Sequence, residues 1–296
     1  MGGARGLAAL ALGPTIVTNP PPFLVCGRHR LGLDRPLVMG VLNVTPDSFS
    51  DGGRYLEPAA ALDHARRMVD AGADIIDIGG ESTRPGAATT PETVEVERVV
   101  PLIERITALG VPVSADTRKS AVMRAAIAAG ASMINDVSAL RGAGALEAIA
   151  GAPEPVAVCL MHMRGEPETM QQNVAYADVL AEVRDFLAAR AAACQAAGIG
   201  RERIVVDPGF GFGKTVEHNL DLLRRLPEIV LLGYPLLVGL SRKSTIGALT
   251  GGAATERLAG SVAAALAAVA RGAKIIRVHD VRETVDALKV WNAVDA

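Results

Sequence analysis

Polar side chains able to do chemistry recur in this sequence at the ends of short apolar runs. Asp116, Asn135 and Asp207 each close such a run, within Ser114-Ala115-Asp116-Thr117-Arg118, Met133-Ile134-Asn135-Asp136 and Val206-Asp207-Pro208-Gly209. Two carboxylates and an amide presented together suit a flat heterocycle rich in N–H donors. Arg84, Arg242, Lys243, Arg277 and His279 fall at other run ends, giving the same rim a local positive charge suited to phosphate or diphosphate. Asn43 offers an oxygen ligand for Mg2+, which takes few protein ligands when substrate phosphates supply the rest. There is no Ser, His and Asp order suited to a triad and no Cys paired with a His, so covalent catalysis has little support.

The segment Gly209-Phe210-Gly211-Phe212-Gly213-Lys214-Thr215 looks like a phosphate-cradling loop, but only three residues separate Gly209 from Gly213, where a Walker A loop has four. It reads instead as a wall that lets backbone approach a flat ligand, with Phe212 lying beside it. Other residues read as bland. His162 packs at the rim, with Met161 beside it able to touch a ring. His64 and His218 are solvated or capping, Trp291 packs a helix, and Arg118 and Arg164 are rim charges.

The elements that must position these groups follow from the apolar pattern. Near-continuous apolar runs at Leu37–Leu42, Asp74–Ile78, Val111–Ala115, Ser132–Asn135, Val156–Met161, Ile204–Asp207, Leu236–Gly239 and Lys274–Val278 read as strands buried on both faces. Helical segments separate and follow them: Pro58–Ala71, Thr90–Ala108, Lys119–Ala129, Ala143–Ala150, Ala175–Ala197, Thr215–Arg225, Thr255–Arg271 and Val281–Val290. Gly72, Gly110, Gly130, Gly151, Gly198 and Gly272 stand where left-handed C-caps belong. Eight strands alternating with eight helices predict a single (β/α)8 barrel, with an open doubly wound sheet as the competing arrangement. In a barrel the chemistry sits at the C-terminal strand ends. Any one polar strand end, Asp116 and Asn135 included, could be an N-cap of the next helix. All eight ends being polar favours a shared pocket. Thr15–Pro36 carries a hairpin-like pattern suited to covering the barrel floor, residues 15–296 read as one domain, and residues 1–14 have the composition of a disordered terminus.

Composition agrees. Of 296 residues, half are hydrophobic and only 3% aromatic, so Ala, Val, Leu, Ile and Gly must build the core, as in parallel strands packed on Ala-rich helices. The formal net charge of −2 excludes an electrostatic footprint for nucleic acid or an anionic membrane. Three well-separated cysteines read as small buried apolar residues in a reducing cytosol. The first residues lack a convincing basic n-region, and no apolar stretch is long enough to span a bilayer, so a cytoplasmic location is expected.

Taken together, eight segments in order resemble the dihydropteroate synthase family of the folate pathway, the target of sulfonamides. They are MGVLNVTPDSFSDGG (39–53), DIGGESTRPGA (77–87), SADTRKS (114–120), MINDV (133–137), LMHMRG (160–165), DPGFGFGK (207–214), GLSRKSTIG (239–247) and RVHDV (277–281). The resemblance implies a (β/α)8 barrel, usually a homodimer, that joins 6-hydroxymethyl-7,8-dihydropterin diphosphate to 4-aminobenzoate and releases diphosphate. It implies that Asp116, Asn135, Asp207 and Lys243 hold the pterin, with Met161, Phe212 and Gly239 along its ring. Asn43, Arg277 and His279 hold the diphosphate, with Mg2+ at Asn43. Phe49, Thr83, Arg84 and Pro85 close around 4-aminobenzoate, and Ser244 helps receive its carboxylate. Asp116, Asp207, Lys243 and Arg277 are the residues expected to act in catalysis.

The implied chemistry is intelligible from residue types. The arylamine is neutral at pH 7 and needs no strong base, so the difficulty is the departing diphosphate. Mg2+, Arg277 and His279 suit its growing charge. The family is thought to cleave the C–O bond early, leaving a pterin cation, which Asp116 and Asp207 would stabilise or merely orient. Closing of loops 43–53 and 80–87 would exclude water. Two alternatives share the pattern in part: a pterin-binding barrel that passes methyltetrahydrofolate to a corrinoid protein, and a catalytically silent pterin-binding paralogue.

Overall fold

Seven of the eight apolar runs form strands of four to seven residues, and the run at 236–239 is reduced to two. In the computed structural model, which describes residues 20–45, 58–83, 86–172 and 174–295, the barrel strands are β3 (Leu37–Asn43), β4 (Ile75–Gly79), β5 (Val113–Asp116), β6 (Met133–Asp136), β7 (Ala157–Met161), β8 (Ile204–Asp207), β9 (Leu237–Val238) and β10 (Ile275–Val278). Each pairs in parallel with its neighbour, in the order β8-β7-β6-β5-β4-β3-β10-β9. A parallel bridge between Val206 and Leu236, with Val206 N–H donating to Pro235 O at 3.0 Å, closes the ring between β8 and β9. The open doubly wound arrangement is thereby excluded. Closure explains the apolar continuity: one face of each strand meets the helices and the other fills the interior.

Helices follow the strands: α1 (Pro58–Asp70), α2 (Glu92–Ile106), α3 (Ser120–Ala128), α4 (Ala145–Ala150), α5 (Val179–Ala196), α6 (Val216–Arg224), α7 (Leu226–Val230), α8 (Ser244–Thr250), α9 (Leu258–Val269) and α10 (Val281–Asp295). The short α7 and α8 are not evident in the apolar period. Gly110 ends the α2 region at φ 82°, as a left-handed cap should. Gly151 departs from that expectation with φ −88°.

Capping settles which polar strand ends are structural. Asp178 caps α5 through Leu180 and Ala181 N–H, and Thr215 and His218 form a reciprocal capping box on α6. The N-caps of α3 and α4 are Lys119 and Gly144. Asp116 and Asn135 are therefore not caps.

The predicted hairpin is present as β1 (Phe23–Cys26) and β2 (His29–Gly32), paired antiparallel from Phe23↔Gly32 to Cys26↔His29. Its Leu24 and Cys26 are fully buried against Leu37, Met39, Ile75, Met133, Cys159, Val205 and Ile275, which lie low in the barrel strands. The hairpin thus plugs the floor, and apolar layers fill the interior above it. Polar groups that the barrel carries inside are left to gather at the opposite mouth. Cys26, Cys159 and Cys194 are buried free thiols. No helix among the described residues is long and apolar enough to cross a membrane. The expectation for residues 1–14 lies outside the described residues.

Candidate active site

Strand register brings residues far apart in sequence to one level of the mouth. Asn43 stands beside Gly79, Gly79 beside Asp116, and Asp116 beside Asn135, while Met161 stands beside Asp207. From β10, Arg277 reaches across: Nε donates to Asp77 Oδ2 at 2.6 Å and Nη2 to Asp116 Oδ2 at 2.7 Å. Asn135 Nδ2 donates to the same Asp77 oxygen at 3.2 Å. Burial pushes the Asp116 carboxyl up to about 7, against the lowering pull of Arg277 and with the raising effect of Asp77. The centre is thus a guanidinium held between two carboxylates, with one of them close to neutralisation.

The opposite wall is built on β8 and the loop after it. Asp207 Oδ1 accepts from Gly209 N–H at 2.7 Å. Burial raises the Asp207 carboxyl, while the Lys243 ammonium and that N–H act against the rise. Lys243 donates to Phe210 O and lies 4.7 Å from the Phe212 ring centroid. Burial depresses its ammonium to about 8, partly offset by Asp207. Phe212 packs against a small apolar cluster of Val137, Met161, Met163 and Met170. This is a soft, flat surface suited to a ring. Gly239 adds no bulk there: a Cβ on it would stand 3.9 Å from Lys243 Nζ.

The Gly-rich loop after β8 is pinned from beneath. At Gly209, φ is 69° and a Cβ would lie 1.9 Å from His162 O, so only glycine fits. Lys214 is 3% exposed and turns inward, donating to Gly209 O at 2.9 Å, Phe212 O at 3.0 Å and His162 O at 3.3 Å, with His162 Nδ1 at 3.0 Å. Burial, then the Lys214 charge, drives His162 down to about 3, so the neutral ring is an acceptor there. His162 is a packing residue, as its sequence context implies, and also a partner of the lysine.

The diphosphate side differs from expectation. His279 pairs Nδ1 with Ser241 Oγ at 3.1 Å, and the same oxygen accepts His279 N–H at 3.2 Å. Ser241 thus holds both the backbone and one ring nitrogen of His279, leaving Nε2 as the ring atom free to face a ligand. Burial and the Arg277 charge lower His279 to about 4, so its ring is neutral near pH 7. Arg242 adopts φ 59° and is neutralised by a two-point pair with Asp280. The rim among the described residues is charge-balanced by Asp77, Asp116, Asp207 and Asp280, not cationic as composition at the strand ends implies. Asn43 has its side-chain oxygen at the mouth, 3.4 Å from where a Gly79 Cβ would stand. One amide oxygen beside a glycine fits an ion that draws most of its ligands from phosphate and water.

The second mouth loop carries Thr83, half-buried; Arg84, Pro85 and, in the first loop, Phe49 lie outside the described residues. Ser244 is the exposed first residue of α8, next to Lys243. Glu81 Oε1 accepts from Lys119 Nζ at 2.8 Å and from Thr90 N–H at 2.8 Å. Arg118 is not an idle rim charge. Its Nη1 donates to Glu166 at 2.7 Å and its Nε to Glu81 at 3.4 Å.

Comparison with known proteins fits this geometry. The model of the pterin binding enzyme family matches residues 39–279. A dihydropteroate synthase of Neisseria meningitidis is 55% identical over 274 residues, covering 90% of this chain and 96% of the relative. The chain belongs to the dihydropteroate synthase family. Xanthomonas albilineans dihydropteroate synthase, solved with 4-aminobenzoic acid, superposes with a TM-score of 0.87 at 55% identity, covering 93% of this chain and 98% of that one. The same enzyme with 7,8-dihydropteroate gives 0.84 at 52% identity, covering 93% and 99%. The Yersinia pestis enzyme in a sulfonamide complex gives 0.88 at 48% identity, covering 92% and 99%.

Within this dihydropteroate synthase fold the sequence reading missed three groups. Asp77 is fully buried and binds both Arg277 and Asn135. Its signal was a charge in the middle of an apolar strand, where a carboxylate is kept only with a partner. Lys214 carries no local signal of its own, because the Walker-like spacing around it fails. Lys119 and Glu81 lie inside quoted motifs, but their pairing is long-range and has no sequence period.

Proposed function

We propose that this chain forms 7,8-dihydropteroate from 6-hydroxymethyl-7,8-dihydropterin diphosphate and 4-aminobenzoate. The arylamine nitrogen bonds to the pterin methylene carbon, the C–O bond to diphosphate breaks, and the nitrogen loses a proton. The observation that carries this reading is the convergence of Asp116, Asn135 and Asp207 with Lys243 and Arg277 at one barrel mouth, in a chain of this family.

Asp116 and Asp207 accept from the N–H donors of the pterin ring, and Asn135 offers a donor and an acceptor beside them. Met161, Phe212 and Gly239 bound the ring face, with the Lys243 ammonium above Phe212. Arg277 spends two of its five N–H donors on Asp77 and Asp116, so others remain for diphosphate oxygens. With its ring proton on Nε2, His279 adds a neutral N–H to the same group. Bound Mg2+ would be held by Asn43 and would neutralise charge on the leaving diphosphate. Thr83, Arg84, Pro85, Phe49 and Ser244 receive 4-aminobenzoate. Buried, fixed dipoles and charges favour the departing anion because they need no reorganisation as it forms.

The reading extends to a cytoplasmic homodimer, tested by sedimentation of the purified chain. Activity is tested by mixing the protein with the pterin diphosphate, 4-aminobenzoate and Mg2+ and following diphosphate. Release that depends on the amine is expected; no such release would leave a silent pterin-binding paralogue.

A further inference from the structure

A buried ion cluster lies between the second and third strand ends, beside the pterin carboxylates but not among them. The carboxylate of Glu81, at the start of the second loop, accepts through Oε1 from Thr90 N–H, nine residues further along. One side chain thus draws the two ends of the loop together. Lys119, three residues after Asp116, donates from Nζ to Glu81 Oε1 at 2.8 Å, Glu95 Oε2 at 2.6 Å and Thr90 O at 2.7 Å, which uses all three ammonium hydrogens. Arg118 closes the outer side through Glu81, Glu166 and Thr89 Oγ1. Glu95 is fully buried, and the Glu81 and Lys119 side chains are only 6% and 12% exposed. Burial alone would raise Glu81, but the Lys119 and Thr90 hydrogen bonds, with both cations, bring its carboxyl below the usual range.

Stability is a poor reason for such a cluster, because buried ion pairs can often be replaced by apolar groups without loss. Its position gives a better one. Lys119 shares the segment Asp116-Thr117-Arg118-Lys119 with a pterin carboxylate, and Thr117 N–H is tied to Asn135 O at 3.1 Å. The far end of the cluster holds the loop that carries Thr83. The ring that presents the electrophilic carbon and the loop beside the nucleophile are thus referred to one rigid segment.

We propose that Lys119 and Glu81 are positioning residues that set the register of the arylamine against the pterin, resting on the reading of the second loop as the wall of the 4-aminobenzoate site. Neither touches a substrate. Each fixes where the loop stands, and small misplacements of reacting groups are costly.

The test compares Lys119→Met, Lys119→Arg and Glu81→Gln with the wild type in steady-state kinetics and thermal unfolding. Lys119→Met and Glu81→Gln should raise KM for 4-aminobenzoate about tenfold or more while KM for the pterin diphosphate stays within about twofold. Lys119→Arg should recover part of the loss. If Lys119→Met does not fold, Arg118→Met should show the same one-sided change at smaller size. A parallel rise in both KM values, or unchanged kinetics with only a lower melting temperature, overturns the clamp and leaves the reaction standing. A wild type with no amine-dependent diphosphate release overturns both.

Discussion

Arg277 Nη2 stands 2.7 Å from Asp116 Oδ2, although the two residues are 161 apart in sequence. The contact joins the group proposed for the diphosphate to a group proposed for the pterin, so on that reading the two halves of the substrate would not be recognised independently. Asp77, buried beneath, takes a second donor of the same guanidinium at 2.6 Å. Three charges therefore share one fixed geometry, and disturbing any one changes the others.

The first consequence concerns Arg277→Ala. Removing the guanidinium leaves Asp77 and Asp116 without their common counter-charge, a loss of about 3–5 kcal/mol in stability for a buried pair. Pterin diphosphate should bind far more weakly, because charge-assisted contacts are lost outright. Free pterin should lose less, but not nothing, since Asp116 is left without its partner. Calorimetry with both ligands checks this; equal losses would reject the shared role.

The Asp116 carboxyl, near 7 in the folded chain against 3.8 for an ordinary aspartate, makes pterin binding sensitive to mild acid. A ligand that needs the carboxylate competes with the proton. Its affinity should fall by up to about tenfold per unit as pH drops below 7. Stability has the opposite sign. A raised folded value means that this group's contribution is fully present below 3.8 and is lost as pH rises through about 7. Pterin titrations between pH 5.5 and 8, repeated with Asp116→Asn, separate the two; a slope that survives the substitution assigns it elsewhere.

Asp207→Ala should be the most damaging single change to pterin binding. It removes an acceptor, frees Gly209 N–H and withdraws the charge that favours the Lys243 ammonium. Each lost charge-assisted hydrogen bond costs about 1.5–3 kcal/mol, so a loss of at least about tenfold is expected. Lys243 should then titrate below its present value of about 8. Retention of wild-type affinity would remove Asp207 from the pterin site.

The barrel was legible because its strands are buried on both faces almost throughout, a pattern that periodicity detects directly. The gathering of Asp116, Asn135 and Asp207 at one mouth was legible for a related reason: they end their runs, and strand ends converge. Charge was less legible. Arg242 reads as a rim cation until Asp280, 38 residues away, is seen to neutralise it. Asp77 sits inside a strand and Lys119 inside a loop, where nothing local distinguishes a clamp from a solvated side chain. Pairings of this kind are set by tertiary geometry alone.

Sulfonamides should compete with 4-aminobenzoate and leave the affinity for the pterin diphosphate unchanged, as two adjacent subsites require. Inhibition that is purely noncompetitive toward the amine would contradict the assignment of Thr83 and its loop.

Lys214 ties the Gly-rich loop from beneath. It is the most enclosed of the site cations, at 3% exposure, and burial depresses its ammonium to about 7 despite the opposing charge of Asp207. Its hydrogen bonds to Gly209, Phe212 and His162 carbonyls hold the Gly-rich wall in place. Lys214→Met removes a donor from each, so stability should fall by about 1–3 kcal/mol. With Phe212 no longer fixed, pterin affinity should fall as well. The sign with pH distinguishes this role from simple packing. A lysine with a folded value near 7 and an ordinary value of 10.5 contributes stability that is present above 10.5 and lost as pH falls through 7. The wild type should therefore gain on the variant as pH rises from 7 to 10. Denaturant midpoints across that range read the difference; a gap that stays constant or narrows would mean that the lysine is charged throughout and holds the loop as an ordinary ion.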